Sequence, residues 1–451
     1  MSTSVSPDFD VIVLGAGAPG EHCAGALAAG GAKVAIVERD LVGGECSYWA
    51  CIPSKTLLRP GEAVHAARDA EAHADVDVDA ALAWRDFMVS KWSDSGAADW
   101  LASNGITLLR GTGRVVGRGA IAVDGVRHTA RHLVIATGSD PAMPPIPGLA
   151  DLGGVWSTRE ATSVTEIPRR LVVLGAGPAG VELAQALHRF GAGVILVEAA
   201  EHVLPREPAP LGTALGDALR RDGIELVLGA ATRRARRDAD EYVLEFADGS
   251  EASGDRLLVA TGRRPRVRDL GLETVGIVFD EHGIVVDERL SAGDGVWAIG
   301  DVTGILPLTY VGEYQGDIVA ANILGEPRVA NYDAVPRVVF TDPQAAAVGA
   351  TAARYSGTAP LAEVAKMSTY SRAYAQSNGF LTLLSDGERL TGAYGLGPEA
   401  GEWLQQATLA VRARVPLDIV RDTIQPFPSF SEIYNAAMNA LRGEIATSTT
   451  R

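Results

Sequence analysis

Two cysteines five positions apart, Cys46 and Cys51, are the side chains of this 451-residue chain best suited to chemistry. They lie in the segment GGECSYWACIPSK, Gly43 to Lys55. A pair at this spacing near a helix start can close across one distorted turn. The helix N-terminus and the nearby ammonium of Lys55 both favour thiolate over thiol. Thiolate is the species that attacks disulfides and other electrophiles. A metal site would bring a second pair of ligands, but the one remaining cysteine is Cys23, so no metal is expected. Three cysteines make no secreted disulfide framework either, and the pair reads as redox-active. Cys23 falls at an apolar helical position and reads as a small buried hydrophobe.

Electrons must reach such a pair from somewhere, and an internal repeat supplies the elements. Val11 to Glu38 and Leu171 to Glu198 align without a gap at an offset of 160, with half of their positions identical. Each runs from an apolar strand through a glycine-rich turn and an Ala/Leu-rich helix into a second apolar strand ending in Glu. These are two βαβ units with the dinucleotide fingerprint. In the first, Gly15 permits the tight turn, Gly17 lets the backbone approach a pyrophosphate, and Gly20 lets helix and strand pack closely. The helix N-terminus turns its N–H groups towards phosphate. Glu38 ends the second strand, where a carboxylate can accept from ribose hydroxyls. Gly175, Gly177, Gly180 and Glu198 hold the same positions in the second unit. Two fingerprints mean two dinucleotides.

Further strands run into Thr-Gly turns at Thr137-Gly138 and Thr261-Gly262, and VWAIGDVTG ends in Gly300-Asp301. One βαβ pattern interrupted by another reads as one domain inserted into another. The expected organisation is a first dinucleotide-binding domain in two parts, 1–150 and 265–330, with the second inserted at 151–264. From 331 to 451 the character changes. Val338 to Thr341, Gly379 to Leu384 and Leu390 to Leu396 look like antiparallel strands, and Glu399 to Arg412 and Leu417 to Thr423 look helical. The fold class is therefore α/β: two nested Rossmann-like domains plus a C-terminal α+β domain.

Composition narrows the partners. Apolar content of 47% describes a soluble globular protein, and a net charge of -16 argues against a nucleic-acid partner. No stretch approaches the roughly 20 apolar residues of a membrane span. The polar start, Met1 to Asp8, has no basic n-region before the first strand, so a cytoplasmic protein is expected.

At this point the chain resembles the flavoprotein disulfide reductases, the family of dihydrolipoamide dehydrogenase, glutathione reductase and mercuric reductase. The motif GG-x-C-x(4)-C-x-P-S-K, both fingerprints, both Ala-Thr-Gly turns and Gly300-Asp301 carry the resemblance, which extends from Phe9 to about Leu441. It implies FAD held by Gly15, Gly17, Gly20, Glu38 and Asp301, with Thr137, Gly138 and Gly262 of the two Ala-Thr-Gly turns also binding cofactor. It implies Cys51 facing the isoalloxazine as the charge-transfer thiol and Cys46 as the outer, interchange thiol. Lys55 would approach the flavin and pair with Glu182, and a cation there stabilises negative charge as hydride arrives. Gly175, Gly177, Gly180 and Glu198 would hold the nicotinamide nucleotide. Val339 to Pro343, VFTDP, resembles the start of the family's dimer-interface domain, so a homodimer is implied.

Two departures bear on the acceptor. Disulfide-reducing members place a His before a Pro, with Glu five residues on, and the partner subunit presents that His as general acid–base. Here the segment is Phe427-Pro428-Ser429-Phe430-Ser431-Glu432, so Glu432 is kept and Phe427 stands in place of His. The resemblance also implies a cis Phe427–Pro428 bond. Mercuric reductases carry a C-terminal cysteine pair that hands the soft ion inward, and this chain has no cysteine after Cys51. Tyr48 and Trp49 either line a substrate approach or simply pack.

The expected activity is electron transfer from NADH through FAD and the Cys46–Cys51 disulfide to a small disulfide or other oxidised small molecule. The alternatives are flavin-level reduction of a quinone, an electrophile or a metal ion of the mercuric type, and a non-catalytic redox-sensing flavoprotein. NADH is expected in preference to NADPH. Glu198 accepts from ribose hydroxyls but repels a 2′-phosphate, and Ala199 to His202 contain no arginine to clamp one. Steady-state kinetics with both coenzymes should give the higher kcat/KM with NADH.

Overall fold

The computed structural model describes residues 6–370 and 377–449. The chain divides into two compact units, each assembled from three segments.

The first unit comprises the residues up to Pro53, Trp84–Ala142 and Gly262–Asn331. Its centre is the strand Phe9–Leu14, parallel to Val34–Glu38 on one side and to Val126–Ile135 on the other. Thr107–Arg110 and Val296–Ala298 extend the parallel sheet outward, and Ser291–Gly293 adds an antiparallel edge. The inner strands are buried on both faces, so they read as continuous apolar runs rather than alternating ones. Val11, Val13, Val34 and Ile36 pack with Cys23, Ala24 and Leu27 of the helix Ala18–Ala29. Full burial of one such aliphatic side chain stabilises by about 1.5–3 kcal/mol. On that helix lies a second, Thr309–Ile323, at close range. A Cβ on Gly312 would come within 2.4 Å of the Pro19 ring, and one on Gly316 within 3.2 Å of the Cys23 Cβ. Cys23 is buried there as a small hydrophobe, its thiol pushed up to about 12 by burial.

The second unit comprises Ser54–Ala83, Met143–Thr261 and the chain from Tyr332 onward. The repeat reappears as four parallel strands in the order Glu225–Val227, Gly193–Val197, Arg170–Leu174, Arg256–Val259. The C-terminal segment forms a five-stranded antiparallel sheet. Its strands at Phe380–Ser385 and Leu390–Gly397 lie within a residue of their expected places. The strand expected at Val338 to Thr341 is instead Pro336–Val339. It ends early because Phe340 N–H donates to the Glu182 carboxylate and Asp342 N–H to the Gln185 side chain, so both amides leave the ladder. Two strands had no sequence signal: Gln344–Gly349, whose alanines are buried, and Tyr355–Pro360. The latter passes under the helix Ile433–Thr449 at Gly357, where a Cβ would lie 2.3 Å from the Leu441 nitrogen. The expected helix Glu399 to Arg412 divides at Leu404 into Ala400–Trp403 and Gln405–Arg412, and the next runs Leu417–Asp422. The Phe427–Pro428 bond is cis, and so is Asp342–Pro343. Among the described residues no helix is long and apolar enough to cross a membrane.

A charged network ties three segments of this unit together. The Arg189 guanidinium, 8% exposed, bonds Asp222 at 2.8 Å and Asp342 at 2.9 Å. Gln185 donates to Asp222 and to the Asp342 carbonyl, and His65 Nδ1 lies 2.6 Å from the Asp342 carboxylate. That hydrogen bond raises the His65 pKa, while His65 and Arg189 hold the Asp342 carboxyl below its usual range. A raised folded value means that His65 contributes stability below its unfolded pKa of about 6.5, lost as pH rises through the folded value. Asp342, depressed, stays ionised throughout. The melting temperature of wild type should therefore exceed that of His65→Gln by more at mildly acid than at mildly alkaline pH. With 41% of the side chain exposed, solvent screening keeps the effect below about 1 kcal/mol.

Candidate redox site

The redox loop starts against the first fingerprint turn. Gly43 N–H donates to the Ala16 carbonyl at 2.7 Å, and Gly43 and Gly17 form a parallel bridge. Gly44, with φ of 62°, comes so near that a Cβ would stand 2.8 Å from the Gly17 Cα. The Gly-Gly pair is thus a packing requirement as much as a turn.

From there the chain makes a five-residue helix, Gly44–Tyr48, and a second helix begins at Cys51. Trp49, with φ of -139° and ψ of 4°, separates them. The cysteines therefore do not share one distorted turn; Cys46 lies in the short helix and Cys51 opens the long one. The reason is local: the Trp49 amide closes the first helix by donating to the Glu45 carbonyl. Both cysteines are half-buried, and their side chains hydrogen-bond each other. The Thr309 hydroxyl, at the first residue of the helix Thr309–Ile323, lies 3.4 Å from Cys51 Sγ and also bonds Cys46. The bond to Cys51 and burial push the Cys46 thiol far up, and the Glu313 charge adds to this. Thr309 acts in the opposite direction.

Around the first fingerprint, Gly15 has φ of 112° and no room for a side chain, because a Cβ would meet the Ala136 carbonyl oxygen at 2.3 Å. At Gly20 a Cβ would meet the Gly15 oxygen at 2.0 Å. Gly17 differs: a Cβ there would meet nothing within 4 Å, and no side chain caps the helix it begins. The helix N-terminus is thus left without a side-chain cap, as a dinucleotide pyrophosphate requires. The Glu38 carboxylate accepts from the amides of Ala16 and Asp40, at 2.9 and 2.8 Å, and so stiffens the turn. Thr137 donates its hydroxyl to the Arg266 carbonyl, and Gly138, with φ of 71°, borders open space. Ser139 donates to Asp301 at 2.5 Å and receives Arg263 at 2.6 Å, which sets the Asp301 carboxylate beside a cation. Gly262, with φ of 127°, also borders open space. These residues fit a bound FAD.

The second unit repeats the pattern. Gly175 and Gly180 are packed against carbonyl oxygens, Gly177 is open, and Glu198 accepts from Ala176 and Ala200. This matches a second dinucleotide. Lys55 Nζ lies 2.7 Å from Glu182, whose side chain is 4% exposed, and 4.9 Å from the centre of the Phe340 ring. The second Glu182 oxygen accepts Phe340 N–H at 2.9 Å, so the buried carboxylate has a charged and a neutral donor.

At the C-terminal end, Glu432 accepts the Ser429 amide in a capping box, and Phe427 is 75% exposed. Tyr48 is buried, donates to the Ser93 carbonyl, and stands tilted against Trp49 with ring centres 5.6 Å apart, so it packs rather than waits for substrate. Sequence reasoning missed Thr309. It also missed Glu45, whose carboxylate lies 4.0 Å from Arg263 and 3.6 Å from Arg266. The signal for the arginines was present in the run Arg263-Arg264-Pro265-Arg266, beside the Thr261-Gly262 turn.

Residues 9–316 match the family model of pyridine nucleotide-disulphide oxidoreductases, and residues 335–438 match that family's dimerisation domain. A dihydrolipoyl dehydrogenase of Thermus scotoductus is 36% identical over 452 residues, covering 96% of this chain and 97% of that one. A mercuric reductase of Bacillus cereus is 32% identical over 443 residues, covering 94% of this chain and 70% of that one. Among solved structures, the Cu(II) complex of the HOCl-induced flavoprotein disulfide reductase RclA from Escherichia coli superposes with a TM-score of 0.83. It has 28% identity and covers 94% of this chain and 98% of that one. Paired thiols beside one dinucleotide turn, a second such turn and a matched dimerisation segment have one common explanation: the chain belongs to the pyridine nucleotide-disulphide oxidoreductases, flavoprotein enzymes that use FAD and NAD(P)H.

Proposed function

We propose that this chain, as a homodimer, uses NADH to reduce a small oxidised molecule through a Cys46–Cys51 dithiol. The observation that carries the reading is the hydrogen-bonded cysteine pair at the junction of two helices, with Thr309 touching both sulfurs. FAD, which Gly15, Gly17, Gly20 and Asp301 would hold, would supply the two-electron chemistry that links a nicotinamide to the disulfide. The chain's residues manage charge and protons. Opening the S–S bond leaves Cys51 as thiolate and Cys46 as thiol, in keeping with the raised affinity of Cys46 for its proton. Cys46, once deprotonated, attacks the acceptor. Lys55, held by Glu182, provides the fixed cation that stabilises negative charge as hydride arrives.

The acceptor class follows from Phe427. An exposed phenyl ring where disulfide-reducing relatives place a His offers an apolar surface and no proton. Glu432, bonded to the Ser429 amide, is not free to serve instead. Disulfides whose leaving thiolate needs a proton donor are poor substrates in this reading, and a quinone or a reactive small oxidant is a better one. A second reading, reduction of a thiophilic metal ion, is favoured by the mercuric reductase relative and by the Cu(II)-complexed RclA.

Two experiments test these statements. In anaerobic NADH titrations, wild type should develop a long-wavelength absorbance band that Cys51→Ser abolishes and Cys46→Ser retains; the reverse pattern would exchange the roles of the two thiols. In an acceptor panel of lipoamide, glutathione disulfide, a quinone, Cu(II) and Hg(II), wild type should turn over the quinone faster than either disulfide. Phe427→His should raise lipoamide turnover by about tenfold or more, because a positioned acid–base contributes at least that much. Rapid lipoamide turnover by wild type at neutral pH would refute the argument from the absent imidazole.

A further inference from the structure

The reading above leaves one step without a residue. After the disulfide opens, negative charge rests on Cys51 and the proton on Cys46, yet Cys46 must attack. A histidine would ordinarily take that proton, and Phe427 cannot.

The first unit holds another group against both sulfurs. The Thr309 hydroxyl is 3.4 Å from Cys51 Sγ and hydrogen-bonded to Cys46, which itself bonds Cys51. Its position is firmly set. Thr309 is the first residue of a 15-residue helix whose Gly312 and Gly316 are pressed onto Pro19 and Cys23 of the fingerprint helix, which fixes where the hydroxyl stands. A hydroxyl has one O–H to donate and rotates freely about its C–O bond. It can therefore donate to either sulfur without a change of backbone.

Resting on the dithiol reading above, we propose that Thr309 is a catalytic residue of the thiol step, donating its O–H to whichever sulfur carries the negative charge. The proton of Cys46 passes to the Cys51 thiolate within the pair. As it does so, the Thr309 O–H turns from Cys51 to Cys46. No electrons move and no proton leaves the site; the pair changes from Cys46 thiol and Cys51 thiolate to Cys46 thiolate and Cys51 thiol. Cys46 is then the thiolate, the form that can attack an electrophile. A donor matters here because the other charges facing Cys46 oppose its ionisation. Cys51 lies on one side and Glu313 one turn along the Thr309 helix, while neighbouring Glu45 is turned to Arg263 and Arg266. Thr309 acts in favour of the Cys46 thiolate.

The test reads the thiol directly. Flavin-loaded protein is reduced anaerobically with NADH, and the rate of iodoacetamide alkylation at Cys46 is followed across pH by peptide mass spectrometry. Thr309→Val should move the midpoint up by about one pH unit and slow alkylation at neutral pH by about tenfold. Thr309→Ser, which restores the hydroxyl, should keep the wild-type profile. Thr309→Ala serves if the valine variant fails to fold, with the same expected shift. A valine or alanine profile that coincides with wild type would overturn the inference, and so would a serine variant as impaired as valine. If Cys46→Ser abolishes acceptor turnover while Thr309→Val leaves the profile unmoved, this inference fails alone. If the profile moves but Cys46→Ser keeps full turnover, the thiol chemistry stands and the functional reading falls.

Discussion

In each nucleotide-binding unit the helix after the first strand sits against the carbonyl oxygen of the first glycine beyond that strand, at a distance that excludes a side chain. A Cβ would lie 2.0 Å from that oxygen at Gly20 and 1.9 Å at Gly180. Much else follows from this contact. It fixes the direction in which the helix N-terminus opens, and so where N–H groups await phosphate. It brings the turn within reach of the terminal carboxylate, Glu38 in one unit and Glu198 in the other, each accepting two amides. In the first unit it also presents Gly17 as the surface on which Gly43 and Gly44 lay the redox loop. Dinucleotide geometry and thiol position are consequences of one backbone approach.

Buried carboxylates perform the second layer of positioning. Glu182 holds an ammonium with one oxygen and a backbone amide with the other, and Asp342 holds Arg189 and His65. Losing the ammonium would leave the buried Glu182 charge in poor solvent, whereas the part-exposed His65 contributes less. Such sites resist drift. Lys55 therefore keeps one orientation, with its ammonium over the Phe340 ring.

How much of this was legible depended on whether a requirement was local in sequence. The fingerprints were, since each glycine answers to a residue a few positions away, and the match of Val11–Glu38 with Leu171–Glu198 exposed the repeat. Cys46 and Cys51 were legible for the same reason. Thr309 was not: it meets the cysteines across a separation of 258 residues, and nothing near it in sequence marks it. His65, Arg189 and Asp342 likewise come together only in three dimensions. Strand Gln344–Gly349 escaped because alanine carries little β-preference, and what holds it is burial between its neighbours. The end of the strand at Val339 was misjudged because a distant carboxylate takes the next amide.

The break at Trp49 has a mechanical consequence. A bond closing and opening inside a continuous helix would work against that helix's hydrogen-bond ladder at every cycle. Here the two sulfurs belong to separate helices, one only five residues long and anchored through its leading glycines. Adjustment in sulfur separation can be taken up at the joint, leaving the long helix and its hydrogen bonds undisturbed.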